Sequence, residues 1–296
     1  MNPLVECVPN FSEGRNRDKI EKIVNPFRSR AGVKLLDYTA DSDHNRMVIT
    51  AIGKPEAMYN AVIEAVGIAV KEIDLRQHKG QHPRIGAADV IPFIPLRDMD
   101  LAAADALAKK TAESIARQYD LPVYLYEYSA SAEHRRNLAS VRKGNFEGLS
   151  EKMQLAGWQP DFCTAKPHQT AGATVVGARK PLIAFNINLD SDKLEIAQAI
   201  ARNIRFSNGG LPAVKALGLK LETQNCVQVS VNLTDYTQTS IYQVVETIRT
   251  EAAKYGVNIK GSELIGLLPL QALTDTAAAY LGLQNFSVSQ VLETHL

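Results

Sequence analysis

Two stretches of the chain alternate residue by residue between apolar and polar side chains. Ile183, Phe185, Ile187 and Leu189 interleave with Ala184, Asn186 and Asn188, and Val227, Val229, Val231 and Leu233 interleave with Gln228, Ser230 and Asn232. A period of two puts one set on each face of a β-strand, so both strands belong to a sheet with one buried and one polar face. Apolar stripes at helical spacing accompany them. One carries Leu194, Ile196, Ala197, Ile200, Ala201 and Ile204 behind a cap at Ser191 or Asp192, and another runs over Ile241–Tyr255 and stops at Gly256. With strands at Val214–Leu221 and Val257–Lys260, the order from Leu182 onward is β-α-β-β-α-β, the ferredoxin-like arrangement, followed by a last helix after Pro269.

The first part of the chain repeats this order. Val5–Phe11 reads as a strand, and Ser12 or Asn16 caps a helix through Ile20, Ile23, Val24 and Phe27 that Pro26 should kink. A short strand Val33–Asp37, a polar loop Thr39–Asn45 and a strand Arg46–Ile52 follow. Pro55 opens a helix over Glu56–Ile73, and Val90–Leu96 completes the set. Beyond it the pattern predicts a helix from Leu101 to about Gln118, a strand Pro122–Tyr126, one or two short helices within Ser129–Trp158, and a polar loop Thr164–Gly177 with flex points at Gly172 and Gly177. The expected fold class is α/β (α+β), with two ferredoxin-like subdomains, residues 1–179 and 180–296. Helices covering one face of each sheet leave the other open and polar, with Glu6 and Asn10 as first-unit counterparts of the amides. Two such faces turned toward each other would make a ligand cleft between the subdomains.

Composition narrows the function classes. Lysine plus arginine (33) almost balance aspartate plus glutamate (32), without the basic excess of a nucleic-acid binder. The three cysteines, Cys7, Cys163 and Cys226, are widely spaced and make neither a disulfide framework nor a zinc ribbon. No basic-then-apolar leader opens the chain and no apolar run spans a bilayer, so the expected location is cytoplasmic, with no membrane partner.

Chemistry concentrates between the Glu56–Ile73 helix and the following strand. The segment Gln77-His78-Lys79-Gly80-Gln81-His82-Pro83-Arg84-Ile85-Gly86-Ala87-Ala88-Asp89 carries two histidines and two nearby cations. An imidazole titrates near neutrality, so His82 is a candidate general acid/base. Arg84 offers a fork for a carboxylate and Lys79 a point charge. His78 and His82 are four apart, but Gly80 and Pro83 oppose a helix and no third ligand is near, so no metal is expected.

Several strings together give the chain its resemblance: Val5-Glu6-Cys7-Val8-Pro9-Asn10-Phe11-Ser12-Glu13-Gly14, the Asn45-Arg46 pair, His78 through Ala87, Pro122 through Tyr126, Gly172 through Lys180, and Leu182–Leu189. In this order, from Leu4 to about Ala278, the chain resembles the glutamate formiminotransferase family, folate-dependent enzymes of histidine breakdown. The resemblance implies two α/β subdomains holding folate between them, a homodimer, tetrahydrofolate as co-substrate, small-molecule substrates only, and a catalytic histidine at His82. It implies transfer of the formimino group of N-formimino-L-glutamate to tetrahydrofolate. The alternatives are action on 5-formyltetrahydrofolate in the same site and a non-catalytic folate-binding module. Arg46 and Arg84 are then candidates for the glutamate carboxylates, and Asn10, Asn186 and Gln228 for the pterin edge. The folate-contacting loop falls on Cys163-Thr164-Ala165-Lys166-Pro167-His168-Gln169-Thr170-Ala171-Gly172, which differs in composition from the animal enzymes. Thr39 stands where some members carry an acid that orients the histidine, leaving Asp37, Asp41 or Asp43 as substitutes. No cyclodeaminase segment follows within the 296 residues, so a monofunctional transferase is expected.

Overall fold

The structure is a computed structural model that describes residues 2–80, 82–221 and 225–295; Gln81 of the histidine loop lies outside the described residues. The chain divides between Arg179 and Lys180 into two compact units.

In the first unit, β1 (Val5–Cys7) and β2 (Asn10–Phe11) are one strand interrupted at Val8–Pro9, followed by α1 (Arg17–Ser29), β3 (Val33–Asp41), β4 (Arg46–Gly53), α2 (Pro55–Glu72) and β5 (Ala88–Pro95). β4 lies between β3 and the β1–β2 strand, and β5 pairs with the other side of that strand, all antiparallel. This is the ferredoxin-like order. Asn16 caps α1 by accepting the Lys19 N–H, and Ile20, Ile23, Val24 and Phe27 form its buried stripe. Pro26 is buried inside the helix instead of ending it. Burying each large side chain of this core stabilises the unit by roughly 1.5–3 kcal/mol. β3 extends through Thr39 to Asp41, so the polar stretch expected as a loop is strand up to Asp41 and a turn over residues 42–45: the backbone of its first part completes the ladder with β4 whatever its side chains.

The sheet then grows past the ferredoxin-like set. α3 (Leu101–Tyr119) leads to β6 (Val123–Leu125), and β7 (Thr174–Ala178) runs parallel to both β5 and β6. β7 corrects the loop reading of Thr164–Gly177. All five of its residues are buried, and a parallel strand covered on both faces shows no alternation for a sequence to display. Between β6 and β7, α4 (Leu138–Arg142) and α5 (Leu149–Gln154) place Val141, Leu149 and Met153 against Val90, Tyr124, Tyr126 and Val175. The face that two helices alone would leave open is therefore half covered. Its remainder carries Glu6, Asn10, Arg46, Val48 and Thr50.

The second unit contains β8 (Ile183–Leu189), α6 (Leu194–Ile204), β9 (Val214–Leu221), β10 (Cys226–Leu233), α7 (Ile241–Ala253), β11 (Ile259–Ile265) and α8 (Leu270–Leu281). Its sheet order, β11-β8-β10-β9, is again ferredoxin-like. The alternation behaves as expected: Ile183, Phe185, Ile187 and Leu189 are buried, while Asn186 and Asn188 are partly exposed. Two details differ from the sequence reading. α6 starts without a side-chain cap, because Ser191 Oγ accepts the Lys193 N–H one position early. The polar face is also not uniformly polar, since exposed Leu217 and Leu219 of β9 stand opposite Ser230 and Gln228. Ser240 and Gln243 form a reciprocal capping box on α7. Among the described residues, no helix is long and apolar enough to cross a membrane.

Candidate active site

A bulge where β2 meets β5 sets up the site. The register passes from Asn10↔Val90 to Phe11↔Ala88, so Asp89 is an extra residue with no partner across the ladder. Bulges re-aim side chains in this way. Asp89 is 2% exposed; one carboxylate oxygen accepts the Ile85 N–H at 2.8 Å and the other binds Arg142 Nη2. Asp89 thus ties β5, the end of the histidine loop and the end of α4 to one point.

Around it, Phe11, Ser12, His44, Asn45, Arg46, His82, Arg84 and Asp89 line one hollow. The ring centroids of His44 and His82 are 6.0 Å apart. Asn10 and Arg46 are neighbours on adjacent strands, and both Nε and Nη2 of Arg46 donate to Asn10 Oδ1. Asn10 Nδ2 donates to the Val8 carbonyl at 2.8 Å, so this amide is occupied in holding Arg46. Arg84, 7% exposed, is committed on two sides. It donates to Glu147 at 2.8 Å and, through Nε, to His78 Nδ1 at 3.0 Å. His78 is thereby a neutral imidazole whose Nε2–H donates to the Asn45 carbonyl at 2.8 Å; it is a strut for Arg84, with both ring nitrogens engaged. Asn45 adopts a left-handed backbone (φ 48°) that asparagine tolerates, and its side chain links the Gly14 N–H to the Lys79 carbonyl.

Close backbone approach holds the loops together. A Cβ on Gly80 would stand 2.2 Å from the His44 carbonyl oxygen, and one on Gly172 (φ +70°) 2.1 Å from that of Ile85. Gly172 is therefore a clamped position and no flex point. The 163–172 segment is pinned beside the histidine loop: Leu75 N–H donates to Thr170 O, Ala87 N–H to Ala171 O, and Ala173 N–H to Ile85 O. His168 organises its turn, with Nδ1 accepting the Ala171 N–H at 3.1 Å. Cys163 (φ 75°) donates its thiol to Asp120 at 3.1 Å, Gln154 holds the Ala165 carbonyl, and Lys166 N–H bonds Thr164 O. Pro167 and Gln169 continue the turn without a side-chain hydrogen bond among the described residues. In the second unit Gln228, 5% exposed, donates to Asn188 at 2.8 Å, and Asn186 stands in register with Ser230 and Glu263.

Burial, then the charges of Arg46, Arg142 and His44, push the His82 imidazole down to about 3. Burial and the neighbouring Arg142 draw Arg46 down to about 10. No carboxylate is hydrogen-bonded to His82 among the described residues; Asp41 accepts the backbone N–H groups of Asp43 and His44, and Thr39 is exposed. His82 is therefore neutral at physiological pH. Its folded value lies below its unfolded one, so its contribution to stability is fully present above about pH 6.5 and is lost as pH falls below that. An ¹⁵N-histidine titration should find His82 still neutral at about pH 5, where an ordinary histidine is mostly charged. A midpoint near 6.5 would contradict this electrostatic picture.

Sequence reasoning missed four participants. Asp89 closes the histidine segment just before the expected strand at Val90, and nothing in the sequence gives it a role, since a bulge leaves no periodic signal. Arg142 and Glu147 lie in the irregular region after β6, and His44 sits in a turn where nothing distinguishes it from a surface histidine. Among the described residues no group of three or more His, Cys, Asp or Glu side chains is placed to hold a metal ion.

Comparison with known proteins agrees along the whole chain. Residues 4–179 match the model of the formiminotransferase domain, N-terminal subdomain, and residues 184–295 that of the formiminotransferase domain. The chain is 47% identical to glutamate formimidoyltransferase of Streptococcus pyogenes serotype M1, over 100% of this chain and 99% of that one. It is 44% identical to the protein of the same name from Thermoplasma acidophilum, over 98% and 96%. It is also 44% identical to formimidoyltransferase-cyclodeaminase of Rattus norvegicus, over 95% of this chain but 53% of that longer protein. The chain belongs to the formiminotransferase family, through both of its subdomains.

Proposed function

We propose that the protein transfers the formimino group of N-formimino-L-glutamate to N-5 of tetrahydrofolate, releasing glutamate. The observation that carries this reading is the neutral, half-buried His82 among arginines, in a chain 47% identical over its whole length to a glutamate formimidoyltransferase. N-5 attacks the formimino carbon to give a tetrahedral intermediate. The carbon–nitrogen bond to glutamate then breaks, and the proton lost from N-5 ends on the departing glutamate nitrogen. Neutral His82 is in the correct state to take that proton first and return it second. Burial is the larger cause of the depressed imidazole, and an anionic substrate beside Arg46 offsets the part due to the arginines, so that part of the basicity of His82 returns once the donor is bound.

Within this reading Arg46 faces the donor and Asn10 positions Arg46. Arg84, held by Glu147 and His78, shapes the loop. The 163–172 segment of the first unit remains a proposed folate-reading segment, and Asn186 and Gln228 of the second unit's sheet remain proposed readers of the pterin edge. Holding two substrates against each other supplies much of the rate. Purified protein incubated with N-formimino-L-glutamate and tetrahydrofolate should yield 5-formiminotetrahydrofolate and glutamate in equal amounts. No product at saturating levels of both substrates would end the proposal.

A further inference from the structure

Two guanidinium groups, Arg46 and Arg84, line the His82 hollow, and a third, Arg142, is bonded to its Asp89 and lends its charge to His82. The three are unequally matched. Arg84 has Glu147. Among the described residues the Arg46 side chain is hydrogen-bonded to the neutral Asn10 amide; Asp41, its register partner across β3 and β4, favours its charge but is exposed and bonded to backbone N–H groups. Arg142, the last residue of α4, is bonded through Nη2 to Asp89, while its buried Nε has no acceptor among the described residues. The second oxygen of Asp89 is occupied by the Ile85 N–H. Among the described residues one buried carboxylate, Asp89, therefore serves where two cationic side chains stand close enough to oppose each other's charge. Buried donors almost always have an acceptor, and an open Nε beside an undercompensated pair of cations is the arrangement a carboxylate completes.

We infer that Arg46 and Arg142 form a carboxylate subsite beside His82, taking one carboxylate of the dicarboxylic donor, with Asp89 as the positioning residue that holds Arg142 there. The inference rests on the transfer reading and adds the group by which the site selects its donor. It also couples recognition to chemistry, since an anion between the two arginines offsets the positive field at His82.

The test compares N-formimino-L-glutamate with its two monoamides, in which either the α- or the γ-carboxylate is a carboxamide. Wild-type protein should prefer the diacid over one monoamide by on the order of 10²-fold in kcat/KM, because truncating one partner of a buried charge pair costs that much. In Arg142→Met/Asp89→Asn, which removes both members of the internal pair together, that preference should shrink to less than about threefold. Arg142→Lys keeps the charge and the Asp89 partner but not the fork, and should fall between; it carries the test if the double variant does not fold. Unchanged discrimination in folded variants would overturn the subsite.

A second readout needs no turnover. Glutarate titrated into wild-type protein should saturate and raise the His82 titration midpoint, and in the variants it should do neither. If no donor is turned over but glutarate moves His82 in wild type alone, the transfer reading falls and the subsite stands. Equal binding to wild type and variants, or binding to neither, removes the subsite whatever the transfer assay shows.

Discussion

His82→Ala should lower kcat for formimino transfer by about 10²–10⁴-fold, the usual contribution of a positioned general acid/base. Tetrahydrofolate affinity should stay within a few-fold of wild type. The replaced group is neutral, so its loss leaves no uncompensated charge in the hollow. Its ring contacts His44 edge-on, while Arg46 is held independently by Asn10 and Arg84 by Glu147 and His78, so the surrounding cations keep their places. Steady-state kinetics with equilibrium folate binding on the same preparation separates the possibilities. A fall in kcat alone assigns the proton transfers to His82. Parallel loss of binding and turnover would make it a contact residue. A folate-binding module without chemistry would have no turnover to lose.

Asp89→Ala should be the most destabilising single change in the first unit's site, by about 3–5 kcal/mol, because it leaves a buried guanidinium without its carboxylate. That is a large part of the 5–15 kcal/mol roughly available to a typical domain. The side chains of Arg142 and Asp89 are 12% and 3% exposed, so solvent does little to screen the pair. The Ile85 N–H would lose its acceptor as well, loosening the end of the histidine loop. Asp89→Asn keeps an acceptor for Ile85 and should cost less. Urea unfolding of the three proteins measures the series. A loss below about 1 kcal/mol for Asp89→Ala, the level of an exposed pair, would show that the bulge does not depend on this ion pair.

How much of this was legible beforehand follows from the kind of signal each part leaves. The second unit was readable because its sheet has one wet face, and alternation over Ile183–Leu189 writes the register directly into the residues. β7 was not, since a strand buried on both sides looks like any short apolar run, and Gly172 before it and Gly177 within it suggested a loop. His82 stood out because ionisable residues were crowded into one connection, and it lies in a hollow with His44, Arg46 and Arg84. That Arg84 and His78 of the same segment brace each other was not legible, since the contact depends on how the loop folds. Asn10 was placed on the correct sheet face, yet its amide holds Arg46. Asp89, Arg142 and Glu147 come from three segments far apart in sequence, joined by a bulge and a covering segment that only the fold reveals.

The central claim is that His82 handles the proton at the reacting nitrogen. A crystal structure of the protein with bound tetrahydrofolate tests it most directly. The account predicts N-5 within hydrogen-bond reach of the His82 imidazole, about 2.6–3.2 Å or one water away. Folate bound with its N-5 edge on a surface that His82 does not reach would contradict it.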